Sequence, residues 1–385
     1  MDMEKKKKPG RFSYICFLSA VLLLLAGSAA FVWATPDHIY SASERRMLSK
    51  RPKLKKKTIL NGKFQKKFET YLCEQFPFRE KGLALKTGLE RSLGSKDAQG
   101  VYFGRDGYLL EKYQEQDFDW KNIEKNLNRV SRFLNKHSNA KAMFVPSKSG
   151  VLTGKLPLFA VESGEERFWK LVDEKIDKTK RIEVAGALKE HENEYIYYRT
   201  DHHWTTLGAY YAYQEWAKAM DAQSLAKEAF SITPATEAFL GTTYAKVRTK
   251  AKADTIHLYE KKNADKLKLD YNMGQFQTES FYEMDKLEGD DPYQVFMGGN
   301  QAVVDITVGS EKEKNDKKTL LLVKDSFGNC FAPFFASHYK RIVVIDLRHL
   351  NAPVGKMLEI YPADDILILY NSIQFMEDTD MGKLK

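Results

Sequence analysis

The chain has 385 residues, 43% hydrophobic and 12% aromatic, enough to bury a sizeable core in one large domain or two ordinary ones. Its net charge of +9 is concentrated: residues 1–11 carry five positive and two negative side chains, and residues 44–57 carry eight positive and one negative. With Asp37 these account for the whole excess, so residues 58–385 are neutral overall and a basic nucleic-acid binder is excluded.

Phe12 to Ala34 is an uncharged apolar run. At about 1.5 Å per residue, a helix of that length crosses the hydrocarbon layer of a bilayer. Lys5 to Lys8 and Arg11 precede it, so the positive-inside rule keeps residues 1–11 as a cytoplasmic basic tail. Residues 12–34 then read as a transmembrane signal-anchor, with the C-terminal body outside the cytoplasm. The alternative is a secreted body, because Ser28-Ala29-Ala30 and Val32-Trp33-Ala34 are small-residue cleavage candidates. Residues 35–60 read as a polar, basic linker. Their lysines and arginines lie on the side the rule would leave poor in positive charge, and they suit lipid headgroups, anionic wall polymer or plain solvent. Of the cysteines, Cys16 falls in the apolar run, and Cys73 and Cys330 could form one disulfide in an oxidising compartment. No cysteine or histidine cluster has structural-zinc spacing, and no metal or cofactor is expected.

Phe64, Phe68, Tyr71 and Leu72 fall at helical spacing, and Glu74 to Arg79 ends that helix. Val101 to Leu110 reads as two short strands around an Asp-Gly turn. Trp120, Ile123, Leu127, Val130 and Leu134 mark a long amphipathic helix, and Ala142 to Val145 a short buried strand. Phe168 to Leu188 reads as a helix, Tyr195 to Arg199 as a strand, and Leu207 to Met220 as a helix capped by Thr205 or Thr206. Residues 228–312, rich in Thr, Tyr, Gly and Asp, read as a β-rich insertion. Three buried strands follow: Thr319 to Val323, Ile342 to Ile345 and Ile366 to Leu369. Short apolar runs of this kind belong to a parallel sheet covered on both faces. The expected class is α/β, three layers with a β insertion.

Two segments carry chemistry. Ser326 follows a buried strand and precedes a helical stretch, at the sheet edge where open α/β folds gather ligand and catalytic groups. Its hydroxyl is a weak nucleophile that needs a base, and the competing reading is a helix N-cap. In Tyr197-Tyr198-Arg199-Thr200-Asp201-His202-His203-Trp204-Thr205, Asp201 and His203 are two apart, so on an extended stretch they share a side. An acid so placed fixes the imidazole tautomer and stabilises its charged form. His202 is expected to point away. A metal site or a structural polar turn are the competing readings, although adjacent histidines lack helical ligand spacing.

Asp201-His202-His203-Trp204 resembles the signature of the DHHW family of bacterial exported proteins, which is similar to the alginate O-acetyltransferases with their SGNH-hydrolase-like fold. The resemblance covers residues ~40 to ~375. It includes Gln75-Phe76-Pro77-Phe78-Arg79, Phe103-Gly104-Arg105-Asp106-Gly107-Tyr108-Leu109, Val145-Pro146-Ser147-Lys148, Phe296-Met297-Gly298-Gly299-Asn300 and Lys324-Asp325-Ser326-Phe327-Gly328-Asn329. It implies an SGNH-like α/β domain over residues 61–385, with the β-rich insertion at 228–312. It also implies a triad of Ser326 as nucleophile, His203 as general base and Asp201 as orienter. Here the Asp-x-His block precedes the serine block, as in the acetyltransferase branch, and triads are recognised by geometry rather than chain order. Asn300 is a candidate second oxyanion donor beside the Ser326 N–H, with a turn asparagine as the competing reading. His202 and Trp204 are supporting residues.

The expected function is O-acetyl transfer to an extracytoplasmic cell-surface or wall polysaccharide. The resemblance implies a multi-pass membrane O-acyltransferase as partner. The alternatives are a carbohydrate acetylesterase using the same site and a non-catalytic polysaccharide-binding accessory protein. Trp204, Tyr197, Tyr198, Tyr210 and Tyr211 are candidates for stacking on sugar rings, or ordinary packing residues.

Overall fold

The computed structural model describes residues 11–41, 46–76, 79–161, 163–309 and 318–385. The expected basic tail, apart from Arg11, lies outside these residues, as do Pro77, Phe78 and the last three residues of the 228–312 stretch. The chain divides into two compact units, Met1–Leu89 and Glu90–Lys385.

In the first unit a helix runs over Arg11–Ala34, and Tyr14–Ala34 is long and apolar enough to cross a membrane, with a mean hydropathy of 2.5. The residues after it are fastened rather than loose. Arg51 donates to the Trp33 carbonyl and to Tyr71 Oη, each at 3.1 Å, and Tyr71 Oη donates to Asp37 at 2.6 Å. Gln75, in the helix Lys63–Gln75, exchanges hydrogen bonds with the backbone of His38, 2.9 Å each way.

The second unit is mixed α/β. Its principal sheet has seven strands: β1 (Ala140–Val145), β2 (Leu267–Tyr271), β3 (Phe276–Thr278), β4 (Val303–Val308), β5 (Lys318–Lys324), β6 (Tyr339–Ile345) and β7 (Asp365–Asn371). Their order is β3-β2-β4-β6-β5-β7-β1. The neighbours β6, β5, β7 and β1 are parallel, while β4, β2 and β3 extend the sheet antiparallel. Three strands of the 228–312 stretch therefore join this sheet, and Phe230–Phe239 pairs with Asp254–Lys261 in a separate two-stranded ribbon.

Period-two alternation sends Leu320 and Leu322 to one face and Leu321 and Val323 to the other. The first face packs against the helix Thr206–Ala219. The second packs against Trp120–Lys136, Glu165–Lys175 and Ser372–Glu377. All three strands expected after the insertion are present, as are the Trp120 helix and the Thr205 cap, whose side chain accepts from the Gly208 N–H. From β5 the chain moves to β6 on one side and returns to β7 on the other. Ser326 thus stands at the carboxyl end of the strand where the winding reverses, which is where such sheets open a crevice.

Two expected elements take a different form. Phe168 to Leu188 is two helices, Glu165–Lys175 and Ala185–Glu190. Between them Asp177 caps a tight turn, and the Ile182 N–H is spent on the Ala142 carbonyl at the edge of β1. Tyr195 to Arg199 is irregular backbone that folds back on itself, Tyr198 N–H donating to His203 and Thr205 N–H to Ile196. Buried Asp254 holds it there, accepting from Arg199 N, Thr200 N and the hydroxyls of Thr200 and Tyr195.

Candidate active site

Two segments 123 residues apart meet at the edge of the sheet. β5 ends at Lys324, and Ser326 takes the N-cap position of the short helix Phe327–Phe331 with φ −63° and ψ −18°. Its side chain caps nothing. The hydroxyl is aimed at His203, Oγ to Nε2 2.7 Å. Asp325 sets the turn: buried, it accepts from Phe327 N at 2.9 Å and from Asn371 N, at the end of β7, at 2.7 Å. Burial raises its carboxyl to about 6.

Asp201 Oδ1 accepts both the backbone N–H of His203 at 3.0 Å and its Nδ1 at 2.5 Å. This is an Asx turn, and it, not an extended strand, places acid and imidazole together. An ionised carboxylate only accepts, so Nδ1 carries hydrogen, Nε2 is the acceptor in the neutral ring, and the Ser326 hydroxyl donates to it. Burial followed by the charge of His202 lowers the His203 imidazole to about 4, so it is neutral near pH 7. Burial pushes Asp201 up, but the charges of His202 and His203, the His203 hydrogen bond and the Thr242 amide outweigh it and hold the carboxyl well below its usual range.

Other residues complete the arrangement; of these the sequence pointed only to Lys148, within Val145-Pro146-Ser147-Lys148, and gave it no role. Thr242 donates to Asp201 Oδ2 from its backbone at 2.7 Å and from its hydroxyl at 2.9 Å. Gly241 permits that approach, since a Cβ there would stand 2.1 Å from Asp201 Cβ. Buried Lys148 donates to the carbonyls of Tyr198, Arg199 and Asp201 at 3.1, 3.4 and 2.7 Å, and burial lowers its ammonium to about 8. Tyr293 stacks on His203 and donates to the Ser326 carbonyl. Gly241 and Thr242 stand just before and at the start of the helix Thr242–Val247. Nothing in the spacing linked them to Asp201.

His202 does not point away. Its ring lies 3.9 Å from that of His203, and its Nδ1 is 2.7 Å from Thr242 Oγ1. Trp204 is fully buried, donates to the Phe327 carbonyl at 3.1 Å and stacks on Phe331. Tyr197, Tyr198 and Tyr210 are buried too, and Tyr211 is stacked on His191, so these rings serve packing rather than an open sugar platform. Asn300 is exposed and makes no hydrogen bond to Ser326. Its Oδ1 accepts from Lys324 Nζ at 3.1 Å and Asn329 Nδ2 at 3.2 Å. Lys324 is buried beneath the serine, 3.5 Å from Asp346, and its ammonium is lowered to about 8 by burial. Cys73 and Cys330 are both free thiols. Asp201, His202 and His203 bring potential ligand atoms within 4.8 Å of one another, but those of Asp201 and His203 and Nδ1 of His202 are already engaged as described.

An α/β sheet carrying hydrogen-bonded serine, histidine and aspartate side chains at the carboxyl edge of its parallel strands defines the class. A profile of the family described as "DHHW protein" matches residues 126–345, and the chain belongs to that family. It is similar to the probable alginate O-acetylase AlgJ of Pseudomonas fluorescens, 27% identical over 179 residues, covering 42% of this chain and 44% of that protein. It is similar also to the protein of the same name from Pseudomonas aeruginosa, 26% identical over 220 residues, covering 52% of this chain and 50% of that one. The chain thus spans about half the length of these curated relatives. A DHHW family protein from Eubacterium siraeum shares the fold, with a TM-score of 0.58 at 23% identity over 74% of this chain and 95% of that one. Bacillus cereus PatB1, solved with a sulfonyl adduct, shares it too, with a TM-score of 0.60 at 20% identity over 74% and 98%.

Proposed function

We propose that this protein is an extracytoplasmic O-acetyltransferase that modifies a polysaccharide through Ser326, His203 and Asp201. The observation that carries the reading is the continuous chain from Ser326 Oγ to His203 Nε2 at 2.7 Å and from His203 Nδ1 to Asp201 Oδ1 at 2.5 Å. The names of the sequence relatives, probable alginate O-acetylases, support the reaction type. An SGNH-hydrolase-like architecture agrees with the four parallel strands and the serine at the winding reversal.

His203 takes the Ser326 proton as the serine oxygen attacks the carbonyl of an acetyl ester. The tetrahedral oxyanion meets the Ser326 N–H, which has no partner among the described residues, with the Asn300 amide as a second donor. The donor's alcohol leaves with the proton from His203. A sugar hydroxyl then gives its proton to His203 and attacks the acetyl-serine; the Ser326 oxygen leaves with that proton from His203, and the sugar departs as the new ester. Ser326 is 7% and His203 5% exposed, and a sugar seated over them that keeps water out would direct the acetyl group to its hydroxyl. The helix Tyr14–Ala34 serves as a single-pass anchor with the second unit outside the membrane, where a multi-pass O-acyltransferase would supply acetyl groups.

The test is to give the full chain in detergent an activated acetyl ester with and without oligosaccharide. Acetylated oligosaccharide, lost in Ser326→Ala, is expected. Free acetate alone would identify an esterase, and binding of oligosaccharide without either product would identify an accessory binding protein.

A further inference from the structure

The motif contains two histidines, and the mechanism above uses one. The other is tied into the same hydrogen-bonded chain. Thr242 has a single hydroxyl hydrogen, and Asp201 Oδ2, 2.9 Å away, takes it. His202 Nδ1, 2.7 Å from the same oxygen, must then be the donor. The sequence of contacts runs His202, Thr242, Asp201, His203, Ser326. The approach is built in: a side chain at Gly241 would collide with Asp201 Cβ, Oδ2 and Cγ at 2.1, 2.4 and 2.6 Å.

We propose that Thr242 is the positioning residue of the Asp201 carboxylate and that His202, bound to Asp201 through Thr242, keeps His203 in its neutral, proton-accepting form. The proposal rests on the acyl-transfer reading of Ser326. It explains why the two rings lie 3.9 Å apart with their planes 36° from parallel, close enough for charge on one to oppose charge on the other. The groups facing His202 are known. Glu111 comes from the strand Leu109–Glu111 and Glu377 from the helix Ser372–Glu377. Lys246 comes from the helix Thr242–Val247 and is paired with Glu111. Lys148 lines the same narrow cleft, along with Tyr113, Ser149 and Asn371. With the rings this close, positive charge on His202 opposes a second positive charge on His203. A base stays competent above its own pKa, so the presence of His202 extends activity toward lower pH.

The experiment uses the full chain in detergent, with p-nitrophenyl acetate as acyl donor and kcat and KM followed from pH 4 to 9. Thr242→Val removes the hydroxyl and keeps the backbone donor. It is expected to lower kcat by about 10- to 100-fold with KM nearly unchanged, the signature of misplaced catalytic groups. Thr242→Ser restores the hydroxyl and should recover most of that loss. His202→Phe keeps a ring against His203 but removes donor and charge, and should move the acidic limb of kcat/KM to higher pH. Wild-type kcat in Thr242→Val, equal impairment in the valine and serine variants, or an unmoved acidic limb in His202→Phe overturns the proposal. A parallel control separates it from the reading on which it rests: turnover that persists in Ser326→Ala overturns both, whereas turnover abolished in Ser326→Ala but normal in Thr242→Val overturns this inference alone.

Discussion

Tyr293 lies face to face with His203, ring centroids 3.9 Å apart and planes 10° from parallel, while its hydroxyl donates to the Ser326 carbonyl at 3.3 Å. One side chain thus touches both ends of the His203–Ser326 contact. The ring does the larger share, because stacking fixes the imidazole plane and an interior hydrogen bond contributes only about 1 kcal/mol. Tyr293→Phe should keep most activity and lose about 1 kcal/mol of stability. Tyr293→Ala should cost about 3–5 kcal/mol and most of the turnover, because it leaves a cavity beside the imidazole. Thermal unfolding and acyl-ester turnover check both.

Gly241→Ala is expected to be more damaging than its one methyl suggests. The added carbon would meet Asp201 Cβ at 2.1 Å, and both partners are buried, so the carboxylate must move off His203. Overpacking of this kind costs about 1–3 kcal/mol, and a displaced orienter costs further activity. A variant with wild-type melting temperature and turnover would show that the 201 and 241 segments are looser than described.

Lys148 binds three backbone carbonyls of the 198–201 loop and no carboxylate. Lys148→Met fills much the same volume but leaves those acceptors unpaired, at about 1–3 kcal/mol for each that water cannot reach. Loss of the loop's fixed shape should appear as lower melting temperature and lower kcat together. Lys148→Arg should not rescue it, because a planar fork does not reproduce three contacts converging on one ammonium.

The pH profile follows from His203. A base must be neutral to work, and burial together with the charge of His202 lowers this imidazole to about 4. Activity should therefore hold from neutral pH downward and fall as pH drops through about 4, where the ring takes a proton. Stability shares the sign. The unfolded imidazole protonates near 6.5 and the folded one near 4, so stability is complete above about 6.5 and is lost as pH falls toward 4. An acidic limb of kcat/KM near 6.5 would show that the ring is more solvated than its 5% exposure implies.

Much of the frame was legible from residue pattern. The runs around Leu321, Val343 and Leu367 could only be buried strands, and the Trp120 helix announced itself by its apolar stripe. The pairing of Asp201 with His203 was legible too, though through the wrong backbone: an Asx turn, not an extended strand, brings them together. Tyr195 to Arg199 looked like a strand because its aromatics are buried, but buried Asp254 ties up the Arg199 and Thr200 amides that a sheet would need. His202 could not be placed without knowing that residue 242 would sit beside residue 201. Thr242 and Tyr293 come from distant or unremarkable stretches, and Lys148, though it ends the Val145–Lys148 piece, gains its role, like them, only from tertiary packing.

The most direct test of the account is the intact mass of the full chain after brief exposure to p-nitrophenyl acetate, with the modified peptide then sequenced. The account predicts one acetyl group per chain, on Ser326, absent from Ser326→Ala and formed far more slowly in His203→Gln. Acetyl groups scattered over lysines, or a Ser326→Ala protein acetylated as fast as the wild type, would contradict it.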